Sequence, residues 1–234
     1  MKCLIIAAGM GTRLRSRAPS KPLAQLGGVP LLEHVIRLAH EGGATAFTVV
    51  TGYRGEEVEE FLSNINIEAP IETVRNGDWE SPNGLSVLAA ADRLDGEFLL
   101  LMSDHLFDPA IVRRLLAAPA PIGLTLAADF DILNPRLDID DATKLDVDAQ
   151  GRIIRIGKAL EGYNAVDTGI FRATPALLGA LRESVEAGGS GSLSEGVALL
   201  ATRGQAQAFD IAGAWWLDVD DEAAFVKAEA KLRP

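Results

Sequence analysis

Through its first half the chain alternates short, dense apolar runs with stretches in which apolar residues return every three or four positions. The runs at residues 3–7, 47–51, 71–75, 98–103 and 122–127 have the length of buried strands and are too short for helices. Between them, Leu31, Leu32, Val35, Ile36 and Ala39 form one apolar stripe that stops at Gly42 and Gly43, and residues 55–62 and 85–94 supply two more helices. Asp108 followed by Pro109 reads as an N-cap with proline in the first turn, opening a helix through Ile111, Val112, Leu115 and Leu116 that ends before Pro119. Strands and helices alternating in this way predict an α/β fold, a largely parallel sheet with helices on both faces.

From about residue 129 the texture changes to period-two alternation, with strands at 143–147, 153–156 and 166–171 separated by polar turns such as 148–151. This predicts a small antiparallel β cap beside the sheet, its boundary a subdomain edge without a linker. Thr174-Pro175 opens another helix, and Ser192 with Glu195 forms a capping box ahead of Val197, Leu199 and Leu200. Strands at 206–211 and 215–218 and a terminal helix from Asp221 complete the chain, and the Gly/Ser run at 188–192 reads as a flexible loop.

Composition narrows the class. At 234 residues, one large α/β domain or a domain with an appendage fits, and either can bury a full core. The formal charge of −11 argues against bulk binding to nucleic acid or anionic lipid, which need a basic excess. One cysteine, Cys3, excludes a disulfide scaffold and suits a reducing compartment. No run approaches the roughly 18 apolar residues of a membrane span, and the apolar start is too short for a secretory signal, so a cytoplasmic location is expected.

Charge is unevenly placed. Arg13, Arg15, Arg17 and Lys21 fall within nine residues, and no acid precedes Glu33. These cations follow Ala7-Ala8-Gly9-Met10-Gly11-Thr12, a run of small residues behind a predicted strand. Small residues let backbone N–H groups approach phosphate oxygens while Arg and Lys neutralise them, so the loop reads as a polyphosphate site. The dinucleotide fingerprint fails because Leu14 stands where its third glycine is needed, and no Gly-Lys-Ser/Thr of a Walker loop occurs. The kinase glycine loop does not match the early helix at Leu31.

With Lys21-Pro22-Leu23, this loop resembles the signature of the nucleotidyltransferase (NTP-transferase) superfamily, which couples a nucleoside triphosphate to a phosphorylated sugar or alcohol. The resemblance covers essentially the whole chain. Residues 81–86 are similar to the family's base-binding turn, Met102-Ser103-Asp104-His105 to its first metal segment, and residues 216–220 to its second. Within the superfamily, residues 141–145, 151–158 and 166–171 look most like CTP-dependent inositol-1-phosphate cytidylyltransferases, and phosphocholine-type enzymes share part of that pattern. The resemblance implies a GT-A-like, Rossmann-like three-layer sandwich spanning 1–234, with a nucleotide-binding half at 1–128 and an acceptor-binding half at 129–234. Such cytidylyltransferases are often fused to a membrane domain that consumes CDP-inositol for phospholipid synthesis. Nothing of that kind is visible before Pro234, so the product is expected to pass to a separate membrane enzyme.

The expected reaction is attack of the acceptor phosphate on the α-phosphorus of CTP, releasing pyrophosphate. Gly9, Gly11, Thr12, Arg13 and Lys21 would hold the triphosphate. Asn83, Gly84 and Ser86 would read the base against the Ala7 and Ala8 backbone. Asp104 lies just past an apolar strand, where doubly wound sheets bind ligands, and a carboxylate there suits Mg²⁺. By resemblance Asp218 is the second ligand; Asp220 is either a further ligand or the N-cap of the last helix. Lys158 corresponds to the family's acceptor-phosphate lysine, and Lys144 is expected in the acceptor site. Asp167, Thr168 and Gly169 break an apolar strand, which suggests close approach of a ligand or a plain bulge. His105 is expected to be a packed or supporting neighbour rather than a ligand, His34 and His40 lack metal-ligand spacing, and Trp215 and Trp216 are expected to pack and position the metal strand, with one of them an alternative lining of the acceptor pocket. Rival readings are a phosphocholine, phosphonate or sugar-1-phosphate nucleotidylyltransferase, the last with UTP or GTP, and more distantly a nucleotide-binding regulator without turnover or an NAD-dependent oxidoreductase. A homodimer is left open.

Overall fold

The computed structural model describes residues 1–14 and 16–232; Arg15, one of the four clustered cations, lies outside the described residues. The chain runs β1 (Lys2–Ala7), a two-rung hairpin of β2 (Gln25–Leu26) and β3 (Val29–Pro30), α1 (Leu31–Glu41), β4 (Ala46–Thr51), α2 (Gly55–Asn64), β5 (Ile71–Arg75) and α3 (Asn83–Ala89). It continues with β6 (Phe98–Met102), β7 (His105–Phe107), α4 (Pro109–Ala117), β8 (Leu124–Asp129), β9 (Lys144–Val147), β10 (Ile153–Gly157) and β11 (Ala165–Ala173). Last come α5 (Pro175–Glu186), α6 (Leu193–Thr202), β12 (Ala206–Asp210), β13 (Trp216–Asp218) and α7 (Glu222–Leu232).

β1 is apolar without a break because both of its faces are covered. Cys3 and Ile5 pack with α1, α2, α4 and α7 on one face, while Leu4 and Ile6 pack with α3, α5 and α6 on the other. This is the expected three-layer sandwich. The central sheet has the order β10-β9-β11-β6-β1-β4-β5, with β8 pairing β11 and β12. β6, β1, β4 and β5 are mutually parallel. The later strands do not form a detached cap: β11 pairs antiparallel with β6, β8 and β9, so the antiparallel portion extends the same sheet. Nine-residue β11 makes this extension, which a strand-by-strand reading of periodicity does not show.

Other departures are local. The helix expected over 85–94 is α3 followed by a separate 3₁₀ turn at Ala91–Arg93. β8 starts at Leu124, leaving Ile122 exposed. The Ser192 hydroxyl accepts from Glu195 N as a capping box requires, but the Glu195 carboxylate reaches past it to Ser190 N and Gly191 N, at 3.0 and 2.9 Å. The Gly/Ser run at 188–192 is therefore tied down, with Gly189 N also donating to Ser184 O. Among the described residues no helix is long and apolar enough to cross a membrane.

Arg172 joins β11 to the end of α4. It is 8% exposed, pairs with Glu97 at 2.7 Å, and donates to the carbonyls of Leu115, Leu116 and Ala118. A guanidinium there satisfies orphan carbonyls and faces the negative helix end. Arg172→Ala is expected to lower stability by about 2–3 kcal/mol, since Glu97 remains partly hydrated. The check is the shift in urea midpoint at unchanged m; an unmoved midpoint contradicts it.

Candidate active site

β1 and β6 are parallel neighbours with Ile6 opposite Met102, so both strands end at one sheet edge. The glycine loop leaves β1 there and Asp104 follows β6. β7 and β13 form an antiparallel ribbon over this edge, with His105 opposite Asp218, and Val219 N donates to Asp104 O at 2.9 Å. The ribbon gathers Asp104, His105 and Asp218, and one donor atom from each lies within 4.8 Å of the others.

The glycine loop brings its cations to these acids. Leu14, fully buried, anchors a short turn at Thr12–Leu14. Gly11 has φ +62°, and a Cβ there would overlap the Lys21 side chain, so both conformation and space demand glycine. Lys21 is 5% exposed; its Nζ donates to Asp104 Oδ2 at 2.5 Å and also to Asp220. Arg13 pairs with Asp220 and, at 2.6 Å, with Asp141. Lys158 pairs with the other Asp141 oxygen at 2.6 Å. Asp104, Lys21, Asp220, Arg13, Asp141 and Lys158 thus form one chain of alternating charge.

Titration follows these contacts. Burial works against the Lys21 charge, yet Asp104, Asp218 and Asp220 outweigh it and hold its pKa above the usual lysine range. Burial would raise Asp104, but Lys21 and His105 bring it below the ordinary value. Lys158 and Arg13 hold Asp141 far below the carboxylate range. Burial would lower His105, but Asp218 and then Asp104 raise it to about 10.

His105 is seated by the break in β11. Register shifts between Asp167 and Phe171, and Thr168 O lies 2.7 Å from His105 Nδ1. Gly169, at φ +73°, leaves room for the imidazole that a Cβ would occupy. Thr168 Oγ1 donates inward to Ala127 O, and Asp167 Oδ1 accepts from Gly169 N. The expected packed neighbour of Asp104 therefore stands in the one group of potential metal donors found among the described residues, its Nε2 3.7 Å from Asp104 and 3.4 Å from Asp218.

Burial pushes the Asp167 carboxyl up to about 6. Raised in the folded state, it binds a proton that the unfolded chain has released, so stability falls as pH climbs from about 4 to 6. Asp167→Asn is expected to match the parent near pH 4 and to exceed it by roughly 1–2 kcal/mol above pH 7. Urea unfolding at both pH values checks this; equal stability at both would refute it.

These groups border a cavity of about 540 Å³ whose lining includes Asn83, Asp167, Gly169 and Lys158. Seven carboxylates line it against four Arg and Lys side chains. Asp218 Oδ1 is buried without a hydrogen-bond partner among the described residues. Two carboxylates with donor atoms within 4.8 Å of each other, one of them carrying an orphaned oxygen, in an acid-rich cavity fit a hard divalent cation such as Mg²⁺.

The remaining expected residues divide. Gly84 packs so closely on Gly191 O and Leu181 that no side chain fits, Asn83 Oδ1 accepts from Leu193 N, and Ser86 Oγ accepts from Asn76 Nδ2. Ala7 and Ala8 are buried at the end of β1. Lys144 is not among the cavity-lining residues; it donates to Lys158 O at 2.7 Å and lies over the Tyr163 ring. Asp220 does not cap α7, because Asp221 accepts from Ala224 N and leaves Asp220 to Lys21 and Arg13. Sequence reasoning passed over Trp79, which faces Gly11, Thr12 and Arg13 across a second crevice and packs on Tyr53 at 5.1 Å. An aromatic within the polar stretch 76–83 was its only signal.

Residues 3–131 match the MobA-like NTP transferase domain. The chain belongs to that family. This MobA-like chain is 38% identical over 220 residues to a bifunctional IPC transferase and DIPP synthase of Rubrobacter xylanophilus, covering 92% of this chain and 48% of that protein. It is 31% identical over 232 residues to the protein of the same name in Aquifex aeolicus, covering 98% of this chain and 51% of the other. The chain spans about half the length of these curated relatives. Among solved structures, the inositol-1-phosphate CTP transferase from T. maritima superposes with a TM-score of 0.86 at 25% identity, covering 98% of this chain and 95% of that one.

Proposed function

We propose that this MobA-like domain transfers a cytidylyl group from CTP to a phosphorylated alcohol, with inositol 1-phosphate as acceptor, giving CDP-inositol and pyrophosphate. The observation that carries the reading is the charge chain from Lys21 to Lys158, which joins the glycine loop to the 540 Å³ cavity. The names of the relatives and of the T. maritima structure support the choice of nucleotide and acceptor.

An acceptor phosphate oxygen forms the new bond to the α-phosphorus as the bond to the bridging oxygen of pyrophosphate breaks. The nucleophile is already anionic, so no side chain need remove a proton; the task is to bring two anions together and stabilise the charge that develops. Gly9, Gly11, Thr12, Arg13 and Lys21 hold the triphosphate, and Asn83, Gly84 and Ser86 with the Ala7 and Ala8 backbone form the base pocket. Lys158 takes the acceptor phosphate, with Asp167 and Gly169 in the cavity wall, Thr168 turned inward to hold the strand break that carries them, and Lys144 bracing the Lys158 turn. Asp104 and Asp218 would hold Mg²⁺, with Asp220 beside them orienting the two cations it contacts. When bound, that ion supplies electrostatic stabilisation to both reacting phosphates. The first half of the chain then serves the nucleotide and the second the acceptor.

The test is pyrophosphate release across the four NTPs against inositol 1-phosphate, phosphocholine, a phosphonate and sugar 1-phosphates. Selective turnover of CTP with inositol 1-phosphate is expected. Preference for another acceptor would reassign the substrate, and CTP binding without any release would make the protein a nucleotide sensor.

A further inference from the structure

Arg13, Lys21 and Lys158, the cations that the glycine loop and the family pattern single out, are each held by an aspartate. Arg136 is different. It lines the same cavity, yet its Nε is buried without a hydrogen-bond partner among the described residues, and its guanidinium enters none of their ion pairs. A buried donor with nothing to bond is uncommon and points to a partner that arrives with a ligand.

The loop that carries it is held to the metal strand. Asp129, 2% exposed, accepts from Trp216 Nε1 on β13 at 2.8 Å and from Asn134 Nδ2 at 3.0 Å. Asn134 Oδ1 in turn accepts from the Arg136 backbone N at 3.1 Å. One buried carboxylate thus fixes Arg136 relative to β13, which carries Asp218.

We propose that Arg136 is a further acceptor-binding residue, which binds the phosphate of the acceptor. This rests on the functional reading above. A planar guanidinium with free donors suits the oxygens of a phosphate monoester, and Arg136 is not neutralised by an aspartate as Lys158 is. The glycine loop carries its own cations for the triphosphate, Arg13 among them at the border of the same cavity, which leaves Arg136 for the acceptor. Lys158 contributes once the acceptor draws it from Asp141.

The test measures wild type, Arg136→Ala and Arg136→Lys with CTP and the acceptor that wild type uses, and inorganic phosphate as a competitive inhibitor against that acceptor. Arg136→Ala is expected to raise the acceptor KM and the phosphate inhibition constant together by about tenfold or more, with the KM for CTP within about twofold. Arg136→Lys should recover part of the loss, and thermal unfolding should match wild type because the backbone anchor is untouched. An acceptor KM within about twofold of wild type, or a parallel rise in the KM for CTP, overturns the assignment. If wild type uses no phosphorylated acceptor, the functional reading fails first and this one falls with it.

Discussion

Lys21→Met is expected to lower turnover by about 10³-fold while the protein stays folded. Lys21 is the only cation in the charge chain that is nearly buried, and it touches Asp104 and Asp220 at once. It neutralises these carboxylates, and in the proposed reaction it meets the triphosphate as charge leaves with pyrophosphate. Methionine keeps the length and volume of the stem and removes only the charge. Breaking a buried pair can cost several kcal/mol, but the Asp104 and Asp220 side chains retain 23% and 27% exposure and water can reach them, so a loss of about 1–2 kcal/mol is expected. The same substitution removes the buried positive charge beside Asp104, Asp218 and Asp220, so affinity for a divalent cation should rise. Pyrophosphate release, far-UV circular dichroism and calorimetric titration with Mn²⁺ check the three parts. Near-normal turnover, or turnover lost only with the fold, would remove Lys21 from the site.

What the chain spelled out locally was legible. β1 is an unbroken apolar run because both faces are covered, and the glycine loop behind it shows in its small residues, Gly11 being required by its φ of +62° and the Lys21 side chain against it. The Asp108 cap and the Thr174 cap sit where their hydroxyl or carboxylate meets the free N–H two residues on. What depended on distant pairing was less visible. β7 and β13 are three residues each and meet across more than a hundred positions, too short to show a period. The α7 cap fell on Asp221 rather than Asp220 because Lys21 and Arg13, two hundred residues earlier, claim Asp220. His105 was legible as a packed neighbour of Asp104, but its seat, a bulge in β11, shows only in the register. Arg136 sits in a loop without hydrophobic period, where one arginine among acids gave no pattern to read.

Asp218→Asn is expected to lower turnover by roughly 10³-fold and to weaken divalent-cation binding by at least about tenfold, and to lower the unfolding temperature at neutral pH because Asp218 also holds the charged His105. The amide keeps the shape of the carboxylate and removes the charge. Asp218 Oδ1 is buried and unbonded among the described residues, so the folded state gains little from that oxygen and a bound cation gains much. Asp104→Asn should act the same way on cation binding, but it also loses the charge that faces Lys21. Asp220 provides the contrast. Its oxygens are taken by Lys21 and Arg13, so Asp220→Asn should mainly raise the KM for CTP by freeing these two cations from their set positions. Calorimetric titration with Mn²⁺, run beside steady-state kinetics, separates the cases. Cation affinity lost equally in all three variants would make Asp220 a ligand, and affinity unchanged in Asp218→Asn would move the cation away from β13.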